Sequence, residues 1–351
     1  MRRNSLQFLR CPQCFSPLQM NILKANDSIV YEGQLTCSNN HSFQIRNRIP
    51  RFVLPEYLDK RQRQTMEIFS TQWNRFGQVT IDEKAFKISQ EWLFNRYGWK
   101  DIEGVRQYLQ SKKIILDAGS ASGRYANLFA NLSSESIVFG AEISEGGLEV
   151  ATNNFADTPN LHFVQACIPH LPFPKETFDF IMSDGVLHHT SDPKKSFVEL
   201  LDYLKPGGEI AIYLYHKGNP LRELTDDYFI EAFSRRDMDK ILEINKLITS
   251  IAKEIFESGA KVILPKNLKI LNAKQGEYSL YDFIYWKIIK LYWDPNVEFD
   301  KNWSTNFGWF APVNAYRYNS DEVVEWFNEL SLKILYSDAS QRGISIRALK
   351  H

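Results

Sequence analysis

Long apolar runs are absent from this chain: none approaches the roughly 20 residues that a membrane-spanning helix needs. The opening residues, Met1 to Asn4, are followed by no apolar segment of the signal type. We therefore expect a soluble, cytoplasmic protein with no membrane partner. Cysteine is also scarce, with four residues in 351, and disulfide bonds are disfavoured in that compartment.

A net charge is absent as well, because 42 basic residues balance 42 acidic ones. Overall neutrality favours an enclosed organic substrate over a long polyanion. The balance hides an asymmetry, since residues 1–63 carry a net charge of +6 and the remainder carries −6. The basic lobe is a candidate surface for RNA or for a partner protein, and a solvated surface without a partner is an equal alternative.

The most informative stretch that the chain does contain lies at residues 114–124. An apolar run stops at Asp117, and a glycine-rich turn from Gly119 to Gly123 follows. Such a turn lets backbone approach a ligand, and the free amides of the next helix bind polar ligand groups. About twenty residues later a second strand ends at Glu142, the position that binds ribose hydroxyls in nucleotide-binding folds. Together these features predict a nucleotide-type site.

The downstream elements continue the pattern of a parallel α/β sheet. Strands three to five are predicted at residues 161–167, 177–184 and 205–214, with a helix at about 196–204. A helix at 320–330 precedes strands six and seven, at 331–338 and 344–349, which the loop 339–343 joins as an antiparallel hairpin.

This succession resembles the class I S-adenosylmethionine (SAM)-dependent methyltransferases, in the branch whose fourth strand is followed by Val-Leu-His-His, here Val186 to His189. The resemblance covers residues 66–215 best. It implies an α/β fold with a Rossmann-like, seven-stranded methyltransferase sheet, and SAM as the cofactor. The residues that it places around SAM are Asp117, Gly119, Ser120, Gly123, Glu142, Ile143, Cys167, Ile168, Asp184 and Gly185.

The resemblance also divides these residues by the part of SAM that they contact. The first loop surrounds the methionine and ribose, Glu142 binds the ribose diol, Cys167 and Ile168 border the adenine, and Asp184 and Gly185 lie beneath the sulfonium. This sequence departs from the pattern at two positions. Ala121 stands where a glycine is usual, and Cys167 stands where many relatives have an acid that meets the adenine amine. Both departures weaken the expected affinity for the cofactor.

Three cysteines and a histidine near the N-terminus have the spacing of a metal site. Cys11 and Cys14 form a Cys-x-x-Cys pair, and Cys37 and His41 form a Cys-x-x-x-His pair. Three thiolates and one imidazole suit tetrahedral Zn²⁺, and a segment this short needs a metal to fold. Disulfides are the competing interpretation, but they would leave His41 without a role. The spacing predicts one structural zinc ion.

The same segment resembles the zinc ribbon that occurs free as the activator subunit of eukaryotic tRNA and rRNA methyltransferases and fused in many bacterial enzymes. The residues that carry the resemblance include 5–10 before the first pair and 43–52 after the second. His41 replaces the usual fourth cysteine, as in the ribbon of a bacterial 23S rRNA guanine methyltransferase. The resemblance implies a partner protein or RNA as possible ligands of this lobe.

Four regions follow from these assignments. We expect a zinc-ribbon domain at 1–56, a helical linker and cofactor lid at 57–110, a SAM-binding core at 111–215 plus 319–351, and a mainly helical substrate lid inserted between strands five and six at 216–318. Helices within the insertion are predicted at 221–233, 238–256 and 278–292. Trp73 and Phe76 are the strongest candidates for aromatic residues over the cofactor.

The candidate general bases are His188, His189 and His216, which follow the ends of strands four and five. A packing or capping role for these side chains is the alternative. The sequence favours O-methylation of a small molecule or glycan intermediate over N- or C-methylation. The first alternative is an RNA methyltransferase that binds phosphates through Arg46, Arg48 and Arg51. The second is a SAM-binding regulatory protein without catalysis.

Overall fold

The N-terminal lobe is a small antiparallel sheet. The computed structural model describes residues 1–340 and 343–351. The strands of the lobe are β1 Leu18–Ala25, β2 Val30–Cys37, β3 Ser42–Arg46 and β4 Ile49–Arg51. Inward residues such as Leu35, Phe43 and Ile45 are fully or almost fully buried, and they alternate with exposed neighbours as expected for a sheet with one buried face.

Helices and parallel strands alternate from residue 60 to residue 216. Three helices come first, α1 Lys60–Ile81, α2 Glu83–Arg96 and α3 Ile102–Leu109. The strands that follow are β5 Ile114–Ala118, β6 Ile137–Glu142, β7 Leu161–Gln165, β8 Phe178–Asp184 and β9 Leu204–His216, and the helices between them are α4 Arg124–Leu132, α5 Glu145–Phe155 and α6 Pro193–Tyr203. Central strands are buried on both faces, which explains their continuous apolar runs.

An inserted segment and a closing hairpin complete the chain. The insertion holds α7 Pro220–Ser234, α8 Met238–Glu257, the hairpin β10 Lys261–Leu264 and β11 Gly276–Ser279, then α9 Leu280–Lys287, α10 Phe299–Phe310 and β12 Arg317–Tyr318. The last elements are α11 Ser320–Glu329, β13 Lys333–Ser340 and β14 Gly343–Leu349. No helix in the described parts of the chain is both long and apolar enough to cross a membrane.

The core strands lie in the order β7-β6-β5-β8-β9-β14-β13, with β14 antiparallel to β9. The predicted Rossmann-like sheet of seven strands is therefore confirmed. The N-terminal lobe continues this sheet, because β4 pairs with β7 through Arg51 and Gln165. Two further backbone hydrogen bonds, from Phe52 N to Gln165 O and from Arg10 N to Pro172 O, are each 2.8 Å long. The sequence did not predict this continuation.

Several predicted boundaries were wrong. The helix predicted at 278–292 is only Leu280–Lys287, because the Ser279 side chain accepts a hydrogen bond from Asp282 N and starts the helix after a strand. Strand six, predicted at 331–338, lies at Lys333–Ser340, and strand β1 of the N-terminal lobe was not predicted. The hairpin of β13 and β14 is antiparallel as expected, with Ser340 opposite Gly343. Positions 341 and 342 of its predicted loop lie outside the described residues.

Candidate cofactor and active site

A cavity of about 480 Å³ lies where the parallel strands β5 to β8 end. The volume falls within the roughly 300–1,000 Å³ that small-molecule sites occupy. Carboxyl ends of parallel strands meet at one edge of a sheet, so residues far apart in the chain converge here. Helix α1 forms one wall of the cavity with Gln62, Thr65, Phe69 and Trp73, which share one helix face.

In the turn after β5, glycines allow the backbone to approach neighbouring atoms closely. Gly119 and Gly123 both have positive φ, at 91° and 77°, and a Cβ on Gly119 would collide with Val186. Ala121 also has positive φ, at 50°, a conformation that costs a residue with a Cβ roughly 1–3 kcal/mol. The sequence departure at Ala121 is therefore accommodated at the expense of local strain.

Glu142 at the end of β6 holds this turn in place. Its Oε2 accepts a hydrogen bond from Ala121 N at 2.9 Å, and its Oε1 accepts one from Ser144 N at 2.8 Å. Burial raises the pKa of Glu142, and the amide donors offset part of that shift. Each oxygen keeps a second lone pair, so the carboxylate can still accept ligand hydroxyl protons.

Asp117 at the end of β5 is buried and faces the cavity. Its Oδ2 has no hydrogen-bond partner among the described residues. Burial, together with the nearby carboxylates of Asp184 and Glu142, raises the pKa of Asp117 to about 8. An unpartnered, partly protonated carboxyl of this kind is suited to a ligand that brings positive charge or a hydrogen-bond donor.

Asp184 at the end of β8 is bound by Arg96, the last residue of α2, and by Tyr97, which follows it. Tyr97 donates its hydroxyl proton to Asp184 Oδ2 at 2.9 Å, and Arg96 Nη1 lies 3.2 Å from the same oxygen. Both side chains of the ion pair are largely buried. The third carboxylate of the site is therefore charge-compensated, whereas Asp117 is not.

The far side of the cavity is bordered by the loop after β7. Cys167, Ile168 and His170 line it, and the His170 ring stacks on Tyr57 with centroids 3.8 Å apart. Glu199 of α6 faces the same region, and its buried Oε2 lacks a partner among the described residues. Burial raises the pKa of Glu199, and the charge of Lys195 opposes that shift.

The structure brings together nine of the ten predicted cofactor residues. Gly123 is the exception, since it caps α4 at the base of the turn and does not line the cavity. The nine that line it are Asp117, Gly119, Ser120, Glu142, Ile143, Cys167, Ile168, Asp184 and Gly185.

His189 is the only predicted base that lines the cavity. Its Nδ1 lies 2.6 Å from the Asn314 carbonyl oxygen, which can only accept, so Nδ1 carries the proton and Nε2 is free to accept one. Burial lowers the pKa of His189 to about 4, although the Asn314 carbonyl offsets part of the shift. The imidazole is therefore neutral at pH 7.

The other two histidines lie elsewhere. His188 is fully buried and stacks on Tyr215 with centroids 3.6 Å apart, outside the cavity lining. His216 ends β9, and its Nδ1 lies 2.6 Å from the Lys217 carbonyl oxygen, also outside the lining. Of the two lid candidates, Trp73 lines the cavity, whereas Phe76 is buried against Trp303 of α10.

Sequence reasoning missed several residues of the cavity wall. Arg124, in the first turn of α4, places its Nη1 3.4 Å from Thr80 O, and Phe69 packs edge-on against His189. Glu199 and Lys195 lie on α6, which no motif marks as part of a site. Only Arg124 had a usable signal, because it follows the glycine-rich turn directly.

The four predicted metal ligands also converge. Their ligand atoms all lie within 4.8 Å of one another. Cys14 Sγ and Cys37 Sγ are 3.7 Å apart, and His41 Nδ1 lies 3.3 Å from Cys11 Sγ and 3.5 Å from Cys37 Sγ. A tetrahedron with Zn–S bonds of about 2.3 Å has sulfur–sulfur edges of about 3.8 Å, so the donor set fits zinc in size and chemistry.

Comparisons with known proteins agree with this geometry. Residues 116–212 match a family described as a methyltransferase domain. The chain is 31% identical to a ubiquinone/menaquinone biosynthesis C-methyltransferase of Vibrio vulnificus over 45% of its own length and 70% of that protein. It is 27% identical to a tRNA U34 carboxymethyltransferase of Pseudoalteromonas atlantica, over 51% of its own length and only 55% of that protein.

Among solved structures, the magnesium protoporphyrin IX methyltransferase of Synechocystis is 12% identical. The match covers 84% of this chain and 100% of that chain, with a TM-score of 0.44.

Proposed function

Because the chain belongs to the SAM-dependent methyltransferases, we propose that it transfers a methyl group from SAM to an oxygen atom of a small molecule or glycan intermediate. When bound, SAM supplies a methyl group that its sulfonium already makes electrophilic. The protein's remaining task is to align the acceptor with that methyl group and, where needed, to remove a proton. The observation that carries the proposal is the convergence of Asp117, Glu142 and Asp184 on one cavity.

The cavity residues fit SAM by charge and by unpartnered atoms. Asp117 Oδ2 and Ser120 Oγ are buried without hydrogen-bond partners among the described residues. In the proposed site Glu142 accepts the ribose hydroxyls, Asp117 faces the cationic methionine part, and Arg124 provides a positive charge for its carboxylate. Glu142 and Asp117, which have no counter-ion in the part of the chain that the structure describes, favour a ligand with positive charge over an uncharged nucleoside.

His189 is the proposed base for a hydroxyl acceptor. The Asn314 carbonyl fixes its tautomer, and a pKa near 4 keeps Nε2 unprotonated at neutral pH. A base of such low pKa is weak, so its contribution is to orient the hydroxyl and take its proton late, as the new C–O bond forms. We propose that residues 57–110 and 216–318 act as cofactor lid and substrate lid around this point.

Small acceptors are favoured because the arginines expected to bind RNA are already engaged. Arg46 and Arg51 both pair with Glu145 at the start of α5, the latter at 3.1 Å. Arg48 lies over the ring of Tyr31, 4.9 Å from its centroid. RNA binding through these side chains would require breaking contacts within the lobe and ion pairs between the lobe and α5.

An RNA acceptor is the second candidate function. It is favoured by the similarity to a tRNA U34 carboxymethyltransferase and by the net positive charge of residues 1–63. Affinity for RNA of that kind would fall steeply as salt is raised, whereas turnover of a small molecule would not.

The test is to incubate the protein with methyl-labelled SAM and, separately, with total RNA and with a small-metabolite extract. Label in a small product supports the proposal, and mass spectrometry then identifies the acceptor and the methylated atom. Label in RNA replaces it with the second candidate. Tight SAM binding without transfer to either pool would support a regulatory protein without catalysis.

The variant that tests the cofactor site is Glu142→Ala, and Glu142→Gln is a milder change at the same position. We expect Glu142→Ala to weaken SAM binding at least about tenfold, because two charge-assisted hydrogen bonds are lost. Calorimetric titration measures the dissociation constant, and circular dichroism checks the fold. An unchanged dissociation constant would remove Glu142 from the cofactor site.

A further inference from the structure

The hairpin of the insertion carries an unusual combination of charge and apolar surface. We define the hairpin tip as residues 261–276, which comprise β10, the turn after it and the start of β11. The tip contains four lysines and no acidic residue, although the whole chain is neutral. The lysines are Lys261, Lys266, Lys269 and Lys274.

Apolar side chains point into solvent between these lysines. Ile263 and Ile270 are 71% and 73% exposed, and Leu268 is 37% exposed. Single exposed aliphatic residues are common on protein surfaces, but three within eight residues of one hairpin are not scattered. Nine of the fifteen exposed large hydrophobic residues found among the described positions lie in the insertion, residues 216–318.

Internal pairing does not account for the charge. Lys261 pairs with Glu277 at 2.6 Å. The other three lysines form no ion pair with any residue that the structure describes, and all three are exposed. The tip therefore presents three uncompensated positive charges around a small aliphatic surface.

We propose that the hairpin tip docks on the surface of a membrane that contains anionic lipids. Aliphatic side chains enter the boundary between headgroups and acyl chains, while lysines contact anionic headgroups beside them. The sequence predicts no membrane partner because it lacks apolar runs long enough to span a bilayer. That criterion cannot detect a short hairpin that binds at the membrane surface.

Anionic lipid is favoured over RNA because the exposed apolar residues are aliphatic. Single-stranded RNA is recognised by bases that stack on aromatic side chains. Tyr278, the aromatic residue nearest the tip, is only half-buried, but its ring packs against Phe283. Ile263 and Ile270 would contribute nothing to phosphate binding, whereas both would contribute to insertion at a bilayer surface.

Cosedimentation with two kinds of vesicle tests the proposal. One kind is phosphatidylcholine alone, and the other contains about 30% phosphatidylserine. We expect the full-length protein to bind the anionic vesicles and to bind more weakly at high salt. The triple variant Lys266→Gln, Lys269→Gln, Lys274→Gln should bind roughly a hundredfold more weakly, because each lysine near an anionic surface contributes about fivefold.

A second variant separates insertion from charge. Ile263→Ser with Ile270→Ser keeps every lysine, and we expect it to bind at least about tenfold more weakly. The matched controls are Leu23→Ser, an exposed leucine on β1, and Lys84→Gln with Lys87→Gln on α2. Both controls should bind like the unmodified protein, and circular dichroism should be unchanged in every variant.

Three outcomes would overturn the proposal. One is a protein that binds neither kind of vesicle, and another is binding that the tip variants leave unchanged. The third is a protein that does not bind vesicles but shows lower RNA affinity in the lysine variant. Weaker self-association in the isoleucine variant, again without vesicle binding, would count in the same way. The readout is independent of methyl transfer, so it stands or falls separately from the proposed reaction.

Discussion

At the scale of single residues, the cavity is defined by carboxyl groups in unlike surroundings. Asp184 is neutralised by Arg96, Glu142 is held by backbone amides, and Asp117 has an unpartnered oxygen. The strand ends and the glycine-rich turn predicted Asp117 and Glu142, whereas Asp184 was predicted from the family resemblance. The sequence could not show which of them lacks a counter-charge, because Arg96 comes from a helix 88 positions earlier in the chain than Asp184.

The raised pKa of Asp117 leads to a prediction about protons. Without ligand this carboxyl is largely protonated below its pKa of about 8. A cationic ligand favours the ionised form, so SAM binding should release a proton and its affinity should rise from about pH 6 to about pH 8. Calorimetry in buffers of different ionisation enthalpy measures the release. Asp117→Asn should abolish it, and a pH-independent affinity would contradict the argument.

Glu199 supports a second residue-scale prediction. Its unpartnered Oε2 lies in the wall that also contains Cys167, the position at which the family resemblance implies an acid for the adenine amine. If Glu199 accepts a hydrogen bond from the adenine amine, S-adenosylhomocysteine should bind at least about tenfold tighter than S-inosylhomocysteine, in which an oxygen replaces that amine. Glu199→Ala should remove the preference, and Lys195→Gln should retain it. Equal binding of both compounds to the unmodified protein would exclude this role.

At the scale of elements, the N-terminal lobe contains the Cys/His cluster described above. We expect about one zinc per chain, measured by elemental mass spectrometry. Cys11→Ser should lose the metal and lower the unfolding temperature by at least roughly 5 °C, because structural zinc supplies several kcal/mol of folding free energy. Cys167→Ser, a buried cysteine far from the cluster in sequence, should keep the metal. Full stability of a metal-free preparation would contradict the prediction.

Element boundaries show where sequence patterns stop being informative. Long periodic helices such as α8 were placed within one residue, because their apolar stripe packs on neighbouring helices. The segment after residue 276 was read as one helix, although it splits into a strand, a short helix and an extended stretch. A four-residue strand is too short to show a period of two, and only its pairing with β10 defines it.

At the scale of the whole molecule, the N-terminal lobe and the core, predicted as separate domains, share one continuous sheet. The pairing of β4 with β7 could not be predicted, since a strand edge has no sequence signal for its neighbour. We expect calorimetry to show one cooperative unfolding transition. A zinc chelator should lower its midpoint temperature, and SAM should raise it. Two separate transitions, with the chelator affecting only the first, would mean that the lobe unfolds independently.

The continuous sheet also constrains how the chain is made. Arg51 of β4 meets Gln165 of β7, 114 positions later, so the ribosome completes the lobe long before its neighbouring strand exists. At roughly 5–20 residues per second, the open edge of β4 waits on the order of ten seconds during synthesis. Early capture of zinc would keep the lobe folded over that interval and leave its edge ready for β7, instead of for a neighbouring nascent chain.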